Sequence, residues 1–255
     1  MTGGRPFYGS FAWAYDLLAD RPVEEECAYI AGVLGGLGVS AGARILDAGC
    51  ATGRYALALE AHGYRATGVD RSPDLLAVAR RRGVRVVAGD LVALPVRRVY
   101  GAVLCRGVLN DVLEDDDRRA AFRAFAGALA DGGALVLDVR DWEQTLQRKT
   151  ADPVHLRTVE TAQGRLTFRS ETRLDPPSRQ MLIAERHTLE RGCDVRSGSH
   201  DFVMRCWTRA ELAERLAEAG FAGAEYRGGY GANVPLGATD RIVAVALRRP
   251  GILRP

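Results

Sequence analysis

Lysine is almost missing from this sequence: of 35 lysines and arginines only Lys149 is a lysine. Set against 32 aspartates and glutamates, the arginines leave a formal net charge of +3. That excess is too small for the electrostatic footprint of a nucleic-acid-binding chain or of one held on an anionic membrane. Cysteine is scarce and scattered. Cys27, Cys50, Cys105, Cys193 and Cys206 are odd in number and form no CxxC pair, which argues against a disulfide framework and a structural zinc site and fits a reducing cytoplasm. The four histidines, His62, His155, His187 and His200, lack HxxxH or HxH spacing, so no protein metal site is expected. No apolar run approaches the roughly 18 residues of a membrane span, and no basic segment leads into an apolar run with a cleavage site. A cytoplasmic protein that neither crosses nor binds a membrane is the expectation.

What is present is ordinary globular material. Apolar residues make up 47% and charged residues 26% of 255 residues, enough for one full α/β domain with one modest insertion. Short apolar runs recur at Arg44 to Asp47, Arg65 to Asp70, Val84 to Ala88, Ala102 to Cys105 and Ala134 to Val139, with helical patterns between them. Such runs predict parallel strands buried on both faces. Ser72 and Pro73 supply an N-cap and a first helical residue ahead of Leu75, Leu76 and Ala79. The acidic cluster from Glu114 to Asp117 suits another helix start, with Phe122, Phe125 and Leu129 at helical spacing. Two more strands, near Ala222 to Tyr226 and Arg241 to Leu247, complete an α/β fold with a doubly wound, mostly parallel seven-stranded sheet and helices on both faces.

Two departures from the βαβ rhythm divide the chain. Residues 1–40 read as a helical lid, with two helices over Phe11 to Leu37 broken at Arg21 and Pro22. Residues 41–150 and 207–250 form the main domain, which resumes at the Thr208 to Glu211 capping box of a helix ending at Gly220. Between them, 151–206 reads as an antiparallel β meander, because the period changes to two from Arg165 to Leu174 and strand-like runs follow the Asp175, Pro176, Pro177 turn. Its arginines, Arg157, Arg165, Arg169, Arg173, Arg179 and Arg186, read as a solvated face. Its opposite, apolar face needs cover from the parent domain, from a second copy in a homodimer, or from both.

The chemistry concentrates at strand ends. Ile45 to Asp47 run into Ala48, Gly49, Cys50, Ala51, Thr52 and Gly53, a glycine turn before a helix, where the backbone can approach a ligand and free N–H groups are offered. Asp70 ends the second strand, where a carboxylate can accept from both hydroxyls of a ribose. The third strand runs into Gly89, Asp90 and Leu91, suited to an adenine amino group with apolar cover. A nicotinamide enzyme would share Asp70, but it would favour a GxGxxG turn, and the middle glycine is absent here.

On the DAGCATG turn, the GVD strand end, the AGDL segment and the Leu104 to Asn110 strand exit, the chain resembles the class I methyltransferases that depend on S-adenosylmethionine (SAM). The resemblance covers roughly Phe11 to Leu247, the meander excluded. It implies that Gly49, Ala51 and Gly53, with Asp47 before them, surround the methionine half of SAM, that Asp70 holds the ribose, that Arg71 flanks the adenine, and that Asp90 and Leu91 bind the adenine edge. Ala51 departs from a frequent third glycine. The run from Tyr8 to Leu18 looks like the helical lid of small-molecule N-methyltransferases of this family, with Tyr15 closing over the methionine end and Arg106 beside the cofactor.

The acceptor is then expected to be a small molecule, with no nucleic acid as partner. A nitrogen acceptor must lose its proton before attack and a hydroxyl needs a base during it. Candidate bases are Asp111, Asp141 and, on the meander, His200. Asn110, Arg140, Trp142 and Tyr230 are expected at the acceptor, Arg140 and Trp142 because they sit at the carboxyl end of the fifth strand, where ligands of such sheets bind. A protein of this fold that binds SAM without methylating remains the rival reading.

Overall fold

The structure, a computed structural model, describes residues 5–18, 21–96 and 99–249. The outer limits expected for the lid and the main domain, residues 1 and 250, fall outside them.

Seven strands form the main sheet: β1 (Arg44–Ala48), β2 (Arg65–Asp70), β3 (Val86–Ala88), β4 (Tyr100–Arg106), β5 (Leu129–Arg140), β10 (Phe221–Arg227) and β11 (Arg241–Arg248), in the order β10-β11-β5-β4-β1-β2-β3. All neighbours run parallel except β11, which is antiparallel to both β5 and β10. Burial on both faces explains why the strands lack polar alternation. In β1, Ile45 enters one apolar cluster and Leu46 the other; in β4, Ala102 and Leu104 alternate with Val103 and Cys105; in β5, Ala134 and Val136 alternate with Leu135 and Leu137. On one face these side chains meet α2 (Val23–Gly36), through Val23, Cys27, Ile30 and Leu34, and Leu59 of α3 (Arg54–Ala61). On the other they meet Phe122 and Phe125 of α5 (Asp115–Ala128) and Leu212 and Leu216 of α7 (Arg209–Glu218). The helix α4 (Pro73–Arg81) is capped as expected, with the Ser72 hydroxyl accepting from Leu75 N–H at 3.1 Å.

The second sheet is an antiparallel meander of β6 (Val154–Thr161), β7 (Gly164–Asp175), β8 (Gln180–Arg191) and β9 (Asp194–Arg205). Its first strand was not anticipated. β6 is an edge strand, and Leu156 is 63% exposed, so its side chains follow no strong inward pattern. A helix α6 (Trp142–Ala151), also not anticipated, leads into the insertion. Entry and exit lie side by side: Trp142 N–H donates to Trp207 O at 2.8 Å and Trp207 N–H to Arg140 O at 2.9 Å.

Beneath the junction, Arg118 of α5 is fully buried. Its guanidinium donates to Glu211 Oε1 at 2.7 Å, to Val112 O at 2.8 Å and to Arg205 O at 2.9 Å, and lies 3.9 Å from the Trp207 ring centroid. Glu211 also receives Arg179 and Arg205 from the meander. One carboxylate in α7 thus pins the base of the insertion.

Of the two helices expected over Phe11 to Leu37, the second is α2, which starts directly after the break expected at Arg21 and Pro22. The N-terminal segment before it is not one regular helix: it consists of 3-10 turns at Pro6–Tyr8 and Ala12–Ala14 and a single turn α1 (Tyr15–Leu18). Gly9 and Ser10 interrupt it, and its aromatics serve tertiary contacts instead of a helical repeat. Phe7 packs edge-on against Phe168 at 5.5 Å and His187 at 5.5 Å, and Phe11 meets His187 at 4.3 Å. The segment is a strap laid against the inner face of the meander.

Candidate active site

The strand order reverses between β2, β1 and β4, so loops leave β1 and β4 in opposite senses and open a crevice beyond their carboxyl ends. A cavity lies there, with about 1380 Å3 of empty space including its open mouth. Its floor comes from the expected segments: Asp47 and Gly49 to Thr52 after β1, Asp70 and Arg71 after β2, Gly89 to Leu91 after β3, Arg106 to Val108 and Asn110 to Val112 after β4, and Arg140 after β5. Strap residues Arg5, Tyr8, Tyr15 and Asp16 and the meander's Met204 form other walls.

The turn after β1 has an unusual backbone. Gly49, Ala51 and Gly53 have φ of 82°, 47° and 78°, all left-handed. At Gly49 glycine is required, because a Cβ would stand 2.5 Å from Cγ2 of Val108. Ala51, where the family often has glycine, is held in a conformation that costs a non-glycine residue about 1–2 kcal/mol. Its N–H donates to Asp70 Oδ2 at 2.9 Å, while Ser72 N–H donates to Asp70 Oδ1 at 2.9 Å. The Asp70 carboxylate therefore ties the first turn to the second, and burial raises its pKa.

Asp47 is 3% exposed at the end of β1 and accepts from the backbone N–H of Ala56 in the first turn of α3. Burial, opposed by Arg106 and aided by the nearby Asp70, pushes its carboxyl up to about 7. Asp90 is exposed and caps its own turn, accepting from Val92 N–H at 3.1 Å, while Leu91 is buried beside it. Gly53 is the N-cap position of α3 and stands behind the cavity wall.

Arg106 is held from four sides. Its guanidinium lies 3.9 Å from the Tyr55 ring centroid and 4.4 Å from that of Tyr230, and pairs with Glu26 at 2.7 Å and Asp138 at 3.3 Å. Asp138, wholly buried within β5, also accepts from Tyr230 Oη at 3.0 Å and Arg241 at 3.0 Å. Burial alone would raise its pKa, but Arg241 and Arg106 hold it below the usual carboxylate range. Tyr230 thus supports Arg106 from behind and is not part of the cavity lining.

The acceptor-side candidates separate. Asp111, Asn110 and Arg140 line the cavity. Asn110 Oδ1 accepts from Arg140 N–H at 2.9 Å, and Arg140 pairs with Asp240. Asp111 is partly buried, and burial raises its pKa. Asp141 lies outside the lining: it is the N-cap of α6, accepting from Glu143 N–H at 2.9 Å. Trp142 sits in a separate cluster with Met181, Ile183 and Cys206. His200, stacked on Phe202 at 6.1 Å, is also outside the lining. Arg5, Tyr8, Asp16 and Asp138 were missed. Asp138 had a signal, a carboxylate in the middle of an apolar strand, which a buried charge must justify with partners.

The residues fit SAM: carboxylates at three strand ends, a left-handed turn at Gly49 and Ala51 that lets the backbone line the cavity closely, and buried Leu91 for an adenine face. A family model described as a methyltransferase domain matches residues 45–133. The chain is 30% identical over 215 residues to the cypemycin N-terminal methyltransferase of a Streptomyces species, covering 82% of this chain and 84% of that relative. The chain belongs to the SAM-dependent methyltransferases. Among solved structures, a SAM-bound amino pentose methyltransferase from Micromonospora echinaspora involved in calicheamicin biosynthesis is 26% identical, with a TM-score of 0.72 over 96% of this chain and 99% of that one. A SAM-dependent methyltransferase from Clostridium acetobutylicum shares the fold, with a TM-score of 0.79 over 95% of this chain and 99% of that one at 17% identity. The chain spans 24% to 57% of the length of three other curated relatives that it matches over shorter stretches. SAM is the cofactor, as expected, and no helix among the described residues is long and apolar enough to cross a membrane.

Proposed function

We propose that this methyltransferase moves the methyl group of SAM to a nitrogen or oxygen of a small metabolite, with an amine of a natural-product intermediate as the leading acceptor. The observation that carries this reading is the single cavity that joins Asp47, Gly49, Ala51, Asp70, Asp90, Leu91 and Arg106 to Asp111, Asn110 and Arg140. The first group holds SAM, with Asp70 at the ribose, Arg71 and Leu91 at the adenine and Tyr15 over the methionine end. The second receives the acceptor. Bound SAM supplies an activated methyl group with its leaving group already in place, so the protein's task is to align the acceptor, exclude water and take up a proton. Asp111 is the group placed to take that proton; Asp141 is engaged as a helix cap and His200 lies outside the cavity. The amine is favoured by two relatives: the Streptomyces enzyme is named for an N-terminal methylation and the Micromonospora enzyme for an amino sugar.

The test is calorimetric titration with SAM and its demethylated product, followed by incubation with amino sugars, peptide amines and phenols while demethylated cofactor is measured. Asp70→Ala is expected to weaken SAM binding at least about 100-fold, as two charge-assisted hydrogen bonds and the ribose contact go together. Full binding by that variant, or no product with any acceptor class, would count against the reading. We also propose that the meander arginines face solvent and not RNA, since Arg165 pairs with Glu160 and Arg169 with Glu171. A homodimer through the meander is proposed as well: the exposed Leu156, Leu182 and Val195 share the face of Arg165, Arg169 and Arg173, so a second copy there would cover those arginines, and sedimentation at rising concentration decides between a solvated and a paired face. A cytoplasmic location is likewise a proposal.

A further inference from the structure

The strap reaches the acceptor side of the cavity through one chain of polar contacts. It begins at Glu185, which is 2% exposed on the inner face of β8. Glu185 binds Arg5 through both carboxylate oxygens, with Arg5 Nε 2.9 Å from Oε2 and a second nitrogen on Oε1. The Arg5 guanidinium also lies 4.2 Å from the ring centroid of Phe202 on β9, so it is held by two meander strands. From there Arg5 donates to Tyr8 Oη at 2.9 Å. A guanidinium can only donate, so the phenol oxygen is the acceptor of that bond and its own proton must go to another group. Asp111 Oδ2, 3.5 Å away, receives it. The backbone of Tyr8 is fixed as well, because its carbonyl accepts from the Ser72 hydroxyl at the start of α4.

We propose that Tyr8 is a positioning residue for methyl transfer, its hydroxyl oriented by the Glu185–Arg5 pair so that it holds the Asp111 carboxylate toward the acceptor. The inference rests on Asp111 as the group that handles the acceptor. It gives the inserted meander a part in the site: the insertion anchors the arginine that orients the phenol. At 3.5 Å the Tyr8–Asp111 contact is at the long end of a hydrogen bond, and catalytic hydrogen bonds tighten as the reacting partner is bound.

Two measurements test it. In protein labelled with 13C at aspartate side-chain carboxyls, the Asp111 resonance is assigned by its loss in Asp111→Asn and followed with pH. The Tyr8 hydroxyl favours the ionised carboxylate, so Tyr8→Phe is expected to raise the Asp111 midpoint by about one pH unit. Arg5→Lys, which keeps the charge but loses the planar fork that grips Glu185 with two nitrogens while a third faces Tyr8, is expected to raise it by less. An unmoved midpoint in a folded Tyr8→Phe protein overturns the relay, and it does so whether or not Asp111 acts on an acceptor. With an acceptor that yields demethylated cofactor, Tyr8→Phe is expected to lower kcat about tenfold in the wild type and to have no further effect in the Asp111→Asn background. Equal losses in both backgrounds would mean that Tyr8 acts independently of Asp111 and overturn the proposal. A shifted midpoint with wild-type kcat would instead sink the role given to Asp111.

Discussion

Asp47 links the fold's stability to the state of the cofactor site. Its carboxyl is closed in by β1, the following turn and α3, and its pKa rises from 3.8 to about 7, chiefly by burial. In the unfolded chain it ionises near its ordinary value. Between those two values the folded protein binds more protons than the unfolded one, so stability falls as pH rises through this window and levels off above it. The span corresponds to about 4 kcal/mol, since each pKa unit is worth ~1.36 kcal/mol. Asp47→Asn keeps the shape and removes the titration. Urea midpoints measured from about pH 4.5 to 8.5 should therefore show the variant gaining on the wild type by several kcal/mol across that range, most of it below about pH 7. A gap between the two proteins that changes by less than about 1 kcal/mol over the range would refute the reasoning. The same logic extends to ligand binding. SAM carries a sulfonium and an ammonium, and a cation drawn into this cavity favours the ionised carboxylate. Titrations at pH 7 in buffers of different ionisation enthalpy are expected to report proton release on SAM binding, and release lost in Asp47→Asn.

Other perturbations address separate parts of the molecule. Glu211→Ala strands the fully buried Arg118 and leaves Arg179 and Arg205 without their shared carboxylate, so a loss of about 3–5 kcal/mol in urea unfolding is expected. Ala51→Gly relieves a left-handed alanine at 47°, offset by glycine's greater unfolded-state freedom, and should be neutral to about 1 kcal/mol stabilising, with SAM affinity the more telling measurement. Asp111→Asn is expected to lower kcat about 10²–10⁴-fold, with the acid limb of the kcat/KM profile disappearing.

The parallel strands were legible because burial on both faces leaves uninterrupted apolar runs, and β2 ends where its pattern ends, at Asp70. The turn residues were legible because positive φ and close approach restrict what can stand at Gly49 and Gly53. β6 was not, since an edge strand with Leu156 outward has no face to pattern. α6 was hidden for a different reason: Asp141 and Trp142 read as a strand-end site, whereas the Asp141 cap bond to Glu143 N–H makes them a helix start. The strap's path was not legible, because the partners that fix Phe7 and Phe11, Phe168 and His187, lie far along the chain. Arg5 and Tyr8 gave no local signal at all, because Glu185 and Asp111 give them meaning only through tertiary contact.

That distinction explains why the cofactor was readable and the acceptor was not. The walls around Asp47, Asp70, Asp90 and Arg106 come from a contiguous stretch that the family model matches almost entirely, residues 45–133. The end of the cavity proposed for the acceptor is assembled from three distant pieces: the strap at Arg5 and Tyr8, the exit of β4 at Asp111, and the meander through Met204 and, behind Arg5, Glu185. A segment that binds a common cofactor is constrained by one ligand and keeps one local pattern. Segments that meet only across the cavity take their roles from each other, so neither carries a local pattern that marks it. On the proposed reading, acceptor specificity resides in the pairing of strap and insertion. Transplanting the meander alone into a relative of the same fold should weaken the receiving enzyme's own activity without conferring this one, whereas strap and meander moved together should carry the preference with them.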